Sequence, residues 1–337
     1  MASIGIIANP ASGKDIRRLV SYATTIDNNE KVNICKRIVL AAQGMGVSDI
    51  VFMPDTFQIG RSIQYDLESD GVLRANIRLL DMEMDASLRD TVEAAARMEA
   101  EGVGCVVVLG GDGTSRAAAK RLVHTPMLPV STGTNNVYPS MMEGTVAGMA
   151  AAAIALMQDP YPCCIKDKRI EVFKDGTLCD IALIDAVVSD DYFVGAKAIW
   201  NVGSIRQLMV TRCHPATIGF SAVAGVLRII NDTDDSGLAV TLGPGGTRIL
   251  APIAAGILET VDISHVREIR LGEDYDIVPE TRCMIALDGE REVRVNAGET
   301  VHMRITRNGP WRVLPRAALQ EAARLGMYRV PNTTLHE

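Results

Sequence analysis

The chain has 337 residues, a length that favours two domains, and 47% of them are hydrophobic, which is enough for a sizeable core. Its net charge of −7 at pH 7, without any block of Lys or Arg, argues against nucleic acid or an anionic membrane surface as the main partner. The seven cysteines form no C-x-x-C pair and the five histidines are scattered, so we expect neither a disulfide framework nor a zinc site.

Strand and helix patterns alternate through the first half of the chain. Short apolar runs predict strands at 3–8, 49–55, 75–83, 104–111 and 127–132, and helical spacing predicts helices at 30–46, 57–67, 85–102 and 114–123. The run GCVVVLGG at 104–111 is apolar throughout, as expected of a parallel strand that is covered on both faces. This alternation predicts a doubly wound α/β domain with a mostly parallel sheet over residues 1–140.

The pattern changes after about residue 160. Residues 165–190 predict two strands joined by a hairpin turn at 174–176, because the Asp-Gly step favours the backbone angles of such a turn. Helical patterns follow at 193–201 and 219–230, and from residue 237 onward short β-rich segments each end in a turn that contains Gly or Asn. We therefore predict a β-rich, sandwich-like domain over residues 141–314, and then a helix at about 315–330 that returns to the first domain.

The segment GGDGT at 110–114 follows the most apolar predicted strand. Gly110 and Gly111 allow positive φ angles and the close approach of a ligand, and Thr114 can cap the next helix, whose free N–H groups favour a phosphate. Asp112 is then a carboxylate beside bound phosphate, where it would either accept a proton from an attacking hydroxyl group or hold Mg²⁺. The alternative is an aspartate in an ordinary strand–turn–helix connection.

Two further loops follow predicted parallel strands, whose carboxyl ends meet at one edge of a sheet. STGTNN at 131–136 offers uncharged donors for a nucleotide, although an ordinary turn would also explain it. In ANPASGKD at 8–15, Ala8 and Asp15 stand where a P-loop needs Gly and Ser or Thr, so the P-loop interpretation fails. That loop still provides candidate phosphate contacts, unless its lysine is simply solvated: Asn9, Ser12, Gly13 and Lys14.

A fourth segment, ALDGERE at 286–292, lies in the β-rich half. Asp288 and Gly289 form a natural hairpin turn, which is a sufficient explanation by itself. If the β-rich domain folds over the edge of the parallel sheet, Asp288 or Glu290 would add a second carboxylate to the site.

The ordered trio NPASGK, GGDGT and STGTNN resembles the ATP-NAD kinase and diacylglycerol kinase superfamily, and the resemblance extends through the β-rich half. IIANPASGKDIRRL together with DNNEKVNI at 27–34 is more similar still to the acetoin catabolism protein X family. The resemblance implies an α/β domain with the nucleotide loops, a β-rich domain, and an active site between them. It also implies Mg²⁺-dependent transfer of a phosphoryl group from ATP, another nucleoside triphosphate or polyphosphate to an acceptor hydroxyl.

The motif match carries residue roles with it. It implies that Asp112 is the catalytic base and that Asp288 and Glu290 support catalysis. It implies contacts to phosphate or nucleotide from Asn9, from Gly110, Gly111, Gly113 and Thr114, and from Thr132, Gly133, Thr134, Asn135 and Asn136. No metal-binding motif is present, so Mg²⁺ would arrive with the phosphates and could touch Asp112. NAD kinases carry an Asn-Glu pair where this chain has Asn135-Asn136, so the acceptor stays open between NAD and a small hydroxyketone or polyol.

Two other functions stay open: a nucleotide- or NAD-binding regulatory protein without catalysis, and a lipid kinase-like enzyme. We expect a cytoplasmic protein, because the N-terminus lacks the features of a signal peptide and the apolar stretch 145–157 is too short to span a bilayer. Related kinases are commonly oligomers, so we expect a homo-oligomer, a dimer or a tetramer. Its partners would be a nucleotide and a small-molecule substrate, with no nucleic acid and no membrane.

Overall fold

The computed structural model describes residues 2–12, 24, 26–190 and 202–329. Their first half contains alternating strands and helices: β1 (Ser3–Ala8), α1 (Asn28–Gly44), β2 (Asp49–Phe52), α2 (Ile59–Ser69), β3 (Asn76–Leu79), α3 (Leu88–Glu101), β4 (Cys105–Gly110), α4 (Asp112–Ala119), β5 (Met127–Ser131) and α5 (Gly144–Leu156). The first five strands are parallel neighbours in the order β3-β2-β1-β4-β5. This is the predicted doubly wound arrangement.

Helices cover both faces of this sheet, so β4 is buried along its whole length. On one face α1 and α5 pack closely, because Gly148 lies so near α1 that a Cβ atom there would be 2.4 Å from the carbonyl oxygen of Ile38. Alanines fill much of the rest of α5, and most of that helix is buried. Small side chains thus let two helices share one face of the sheet.

The second half is mainly antiparallel: β6 (Cys164–Lys166), β7 (Arg169–Lys174), β8 (Thr177–Ala182), β9 (Asp185–Ser189), β10 (Ile205–Val210), α6 (Phe220–Leu227), β11 (Ser236–Ala254), β12 (Ile257–Arg270), β13 (Asp274–Ile277), β14 (Cys283–Leu287), β15 (Glu290–Val295), β16 (Val301–Thr306), β17 (Trp311–Val313) and α7 (Pro315–Arg324). Short 3₁₀ helices lie at Tyr161–Cys163 and Val202–Ser204. Within the described residues, one sheet has the order β12-β11-β10-β9-β14-β15 and another β13-β16-β7-β8. A shared apolar core joins them, which confirms the predicted sandwich-like class.

The hairpin turn predicted at 174–176 joins β7 to β8, and Asp175 and Gly176 both have positive φ angles, 51° and 73°. Residues 165–190 contain more strands than the two predicted, because β6 and β9 flank this hairpin in other sheets. The predicted helix at 193–201 lies outside the described residues.

The division between the two halves falls later than residue 140. Helix α5 packs on α1 and on the parallel sheet, so it belongs to the α/β half. Strand β17 pairs with β5 and with β6, which extends the same sheet, and α7 packs against α5. We therefore place α5, β6, β17 and α7 with the parallel sheet, and β7 to β16 with the β-rich half.

Candidate active site

Three loops meet at the carboxyl edge of the parallel sheet, after β1, β4 and β5. The backbone N–H of Asn9 donates to the carbonyl oxygen of Leu109 at 3.2 Å, and its side-chain amide donates to Thr114 Oγ1 at 3.0 Å. The hydroxyl groups of Ser12 and Thr132 lie 3.2 Å apart. The adjacency of these strands therefore brings together the three loops, as predicted.

Asp112 begins α4 and its carboxylate reaches the loop after β5. Oδ1 accepts hydrogen bonds from the backbone N–H groups of Val137, at 3.1 Å, and Tyr138, at 2.8 Å, and Oδ2 lies 3.1 Å from the same N–H of Val137. Its side chain is only half-buried and faces an open cavity. Asp112 is thus held firmly while remaining accessible to a ligand.

The prediction of positive φ angles at Gly110 and Gly111 is wrong. None of Gly110, Gly111 and Gly113 has a positive φ angle; that of Gly111 is −107°. They provide space instead, since a Cβ atom would lie 2.6 Å from the side chain of Thr114 at Gly110 and 2.2 Å from Glu290 at Gly113. Thr114 is not the helix cap either, because α4 begins at Asp112, with Gly111 at the N-cap position, and the Thr114 hydroxyl is used in the bond to Asn9.

A buried lysine supports the first loop from behind. Lys31 on α1 is 1% exposed, and its ammonium group donates to the carbonyl oxygens of Asn9, at 3.0 Å, and Ser12, at 2.7 Å. Because these carbonyl groups point towards Lys31, the ammonium group fixes the path of the loop. No local sequence motif marks this residue.

The β-rich half contributes Asp288, in the turn between β14 and β15. Its φ angle of 49° fits the predicted hairpin turn, and its carboxylate accepts hydrogen bonds of 2.7 to 3.1 Å from the backbone N–H groups of residues 183 to 185. Burial raises the pKa of Asp288 to about 6, although Arg116 and the N–H donors act in the opposite direction; the charge of Asp112 adds to the increase. Asp288 and Asp112 are therefore electrostatically coupled across the two halves.

Arg116 connects the GGDGT helix to the β-rich half. This fully buried guanidinium group lies one helical turn after Asp112 and pairs with Asp180 at 3.1 Å and with Glu290 at 2.9 Å. Buried ion pairs of this kind fix geometry, since removing one partner leaves an uncompensated charge. Arg116 was not among the residues predicted from the sequence, although its position four residues after Asp112 puts both on the same side of α4.

A cavity of about 420 Å³ opens between the two halves, within the size range of small-molecule sites. The predicted residues that line it are Asn9, Ser12, Gly111, Asp112, Gly113, Thr114, Asn135, Asn136, Asp288 and Glu290. Four others do not line it: Gly110, Thr132, Gly133 and Thr134. Thr132 and Gly133 are buried between the loops, whereas Thr134 is exposed and its hydroxyl oxygen accepts from the backbone N–H of Thr24. Gly13 and Lys14 lie outside the described residues.

The cavity is strongly acidic and partly apolar. Asp55, Asp90 and Asp185 also line it, and apolar side chains such as Phe220 and Ile253 form the wall on the β-rich side. Among the described residues that line it, none is Lys, Arg or His. Asp55 was not among the residues predicted from the sequence. The feature that could have identified it is its position shortly after the parallel strand β2. Burial raises its pKa, although backbone N–H groups of residues 57 to 59 counteract this.

The donor groups at the cavity suit a hard cation such as Mg²⁺. They are carboxylate and amide oxygens, which Mg²⁺ prefers, and it usually combines one or two carboxylates with substrate phosphates. Within the described part of the chain, no group of three or more His, Cys, Asp or Glu side chains could hold a metal by itself.

Among the described residues, no helix is both long and apolar enough to cross a membrane.

The fold and the family of the chain follow from comparison with known proteins. Residues 4–160 match the ATP-NAD kinase N-terminal domain, and residues 168–308 match the acetoin catabolism protein X C-terminal domain. The structure of yeast NADH kinase complexed with NADH is similar at a TM-score of 0.53 and 12% identity, covering 99% of this chain and 90% of that one. A diacylglycerol kinase from Bacillus anthracis str. Sterne aligns over 92% of this chain and 96% of its own, at 10% identity and a TM-score of 0.43. The chain thus has an NAD kinase-like fold.

The sequence relationship is more specific. Acetoin catabolism protein X from Cupriavidus necator is 36% identical over 310 residues, which covers 88% of this chain and 86% of that protein. This chain belongs to the acetoin catabolism protein X family, as its N-terminal motifs indicated.

Replacing Lys31 by Met should destabilise the protein by roughly 1–3 kcal/mol, because buried carbonyl acceptors lose their charged donor. Lys36→Met is the matched control on the same helix: Lys36 pairs at 2.6 Å with Asp66, whose side chain is exposed, and should contribute less than about 1 kcal/mol. Urea unfolding of both variants measures the difference. Equal losses would contradict the role assigned to Lys31.

Asp288 should make the stability depend on pH. Its folded-state pKa of about 6 lies above the ordinary value of about 3.9, so protonation stabilises the folded state below about pH 4, and this contribution is lost as the pH rises through about 6. The unfolding free energy of the wild type relative to Asp288→Asn should fall by up to roughly 3 kcal/mol from pH 4 to pH 7. Urea unfolding across this range tests it, and a pH-independent difference would refute it.

Proposed function

We propose that this chain is an NAD kinase-like phosphotransferase that moves the terminal phosphoryl group of ATP, or of a related donor, to a hydroxyl group of a small acceptor. The observation that carries the proposal is the half-buried Asp112 carboxylate, which two backbone N–H groups fix where the loops after β1, β4 and β5 meet, facing the cavity. A rigid carboxylate at this position is what a general base for an alcohol requires. The NAD kinase-like fold supports the same class of reaction.

In the proposed reaction, Asp112 accepts the proton of the acceptor hydroxyl group as the oxygen forms its bond to the terminal phosphorus. The bond between that phosphorus and the bridging oxygen breaks, and the electron pair leaves with the diphosphate. Such reactions depend mainly on positioning and electrostatic stabilisation, which the N–H groups at the start of α4 would supply. The proton on Asp112 then passes to solvent.

The acidity of the cavity supports a requirement for a divalent cation. A polyphosphate beside Asp112 and Asp288 is repelled, and no described lining residue carries a positive charge that would offset this. Mg²⁺ bound to the phosphates would neutralise the charge on the transferring group. The side-chain oxygen of Asn136 is the candidate protein ligand, because Asn136 lines the cavity beside Gly111 and its use would leave Asp112 available as the base.

Two acceptors are consistent with the site. NAD is one, because the first half matches the ATP-NAD kinase domain. A small hydroxyketone or polyol is the other, because the relative from Cupriavidus necator is named for the catabolism of acetoin, which carries a hydroxyl group beside a ketone. The test is to incubate the protein with ATP and each acceptor of a panel in turn: NAD, small hydroxyketones and polyols, and a lipid diol for a lipid kinase-like activity. ADP release above background identifies the acceptor.

One observation favours a catalytically inactive nucleotide-binding protein. The N–H groups of residues 137 and 138 already occupy lone pairs of the Asp112 carboxylate that a general base would offer to an alcohol. Nucleotide binding without turnover on any acceptor of the panel would support this second function. Turnover on one of them would exclude it.

Asp112→Asn should lower kcat by about 10² to 10⁴-fold with any accepted substrate, because the amide cannot take up the proton. The dissociation constant for the nucleotide should change little, since the amide oxygen can still accept from residues 137 and 138. Asp262→Asn, in the exposed part of β12, is the matched control and should keep normal turnover. Coupled measurement of ADP release tests both variants. Near-normal turnover of Asp112→Asn would remove Asp112 as the base.

A further inference from the structure

Behind the cavity, Tyr138 makes two different contacts. Its backbone N–H donates to Asp112 Oδ1 at 2.8 Å, and its hydroxyl group donates to Asp167 Oδ2 at 2.7 Å. The side chain is only 4% exposed. A single residue therefore joins Asp112 to a buried carboxylate that takes no part in the proposed chemistry.

Asp167 belongs to a cluster of ionic groups, Asp167, Arg212, Asp232 and Arg312, which we call the junction cluster. Asp167 is buried, and the other three side chains are partly buried. Arg312 binds both oxygens of Asp167, from Nε at 2.7 Å and Nη2 at 3.1 Å, and its Nη2 also lies 2.5 Å from Asp232. Arg212 donates to the other oxygen of Asp232 at 2.6 Å. Bidentate pairing between an arginine and a carboxylate adds geometric specificity as well as binding energy.

The members of the junction cluster come from both halves of the chain. Arg312 lies on β17, in the extended parallel sheet, and Asp167 follows β6 in the same sheet. Arg212 and Asp232 lie in the β-rich half, after β10 and before β11. The cluster therefore forms only when the two halves are docked, and that docking also creates the cavity.

The ring of Tyr138 is part of the same packing. The guanidinium groups of Arg212 and Arg312 lie 4.9 and 5.8 Å from its centroid, within the range of cation–π contacts. Burial, and then the charge of Asp167, raise the pKa of the phenol well above its ordinary value. The hydroxyl group faces a carboxylate oxygen at 2.7 Å, and a carboxylate can only accept, so the hydroxyl is the donor.

We propose that Tyr138 is a positioning residue. The junction cluster, which forms when the two halves dock, holds the Tyr138 hydroxyl, and the Tyr138 backbone N–H in turn orients the Asp112 carboxylate. We call this connection from the cluster to Asp112 the positional link. The catalytic consequence rests on the proposed function, in which Asp112 is the base. The positional link itself does not depend on catalysis. It requires that loss of the Tyr138 hydroxyl loosens the N–H groups of residues 137 and 138 from Asp112.

Tyr138→Phe tests the link, because it keeps the ring and removes only the hydroxyl group. Amide hydrogen exchange of residues 137 and 138 should become at least tenfold faster, while the amides of α5 keep their wild-type rates. Tyr161→Phe is the matched control: its hydroxyl donates to the carbonyl oxygen of His124 at 3.2 Å and its ring packs on Trp311, away from the cavity. Its exchange at 137 and 138 should be unchanged.

Asp232→Asn is a second variant for the case that Tyr138→Phe does not fold, since Asp232 is the outermost member of the cluster. It should increase exchange at 137 and 138 in the same direction, by about threefold or more. Unchanged exchange in the folded variants, or a uniform increase over the whole chain, would overturn the positional link.

Turnover measurements test the catalytic consequence separately. Tyr138→Phe should lower kcat about tenfold or more, with the nucleotide dissociation constant within about twofold of wild type. Faster exchange with unchanged kcat would overturn the positioning role in catalysis. A wild-type protein that turns over no acceptor would refute the proposed function, whereas the exchange experiment would still decide the positional link.

Discussion

The hydrogen bonds from the backbone of residues 137 and 138 to the carboxylate of Asp112 are the interaction on which the site depends. They join the loop after β4 to the loop after β5 and hold a charged group at the rim of an open cavity. Backbone donors suit this purpose because they have no rotamers of their own. The fold supplies them by placing β4 and β5 side by side in parallel register.

Charge is arranged around that carboxylate in two layers. Carboxylates face the cavity, where they repel a polyphosphate unless a divalent cation accompanies it. Behind them lie the cationic groups of Lys31, Arg116 and Arg312, each paired with carbonyl or carboxylate oxygens; Lys31 and Arg116 are fully buried. The positive charges thus fix the loops and the two halves. In the proposed function, the contacts with phosphate would then come from backbone N–H groups and a metal ion.

The sequence was sufficient for the parallel domain, the β-rich domain and the meeting of three loops, because these follow from apolar runs and from the strand order they imply. It was insufficient for features that depend on contacts between residues far apart in the chain. Arg116 is informative only beside Asp180 and Glu290, which are 64 and 174 residues away. The pairing of β17 with the first sheet could not be predicted, because a strand of three residues is too short to show a pattern. The glycines of GGDGT were identified from the sequence, but these positions require glycine because of close packing and not because of positive φ angles.

The most direct test of the account is a crystal structure with Mg²⁺, a non-hydrolysable ATP analogue and a bound acceptor alcohol. The terminal phosphate should lie at the N-terminal end of α4, and the Asp112 carboxylate should lie about 3 Å from the alcohol oxygen, or one water molecule away. Phosphates bound elsewhere in the protein, or an Asp112 side chain turned away from the alcohol, would contradict it.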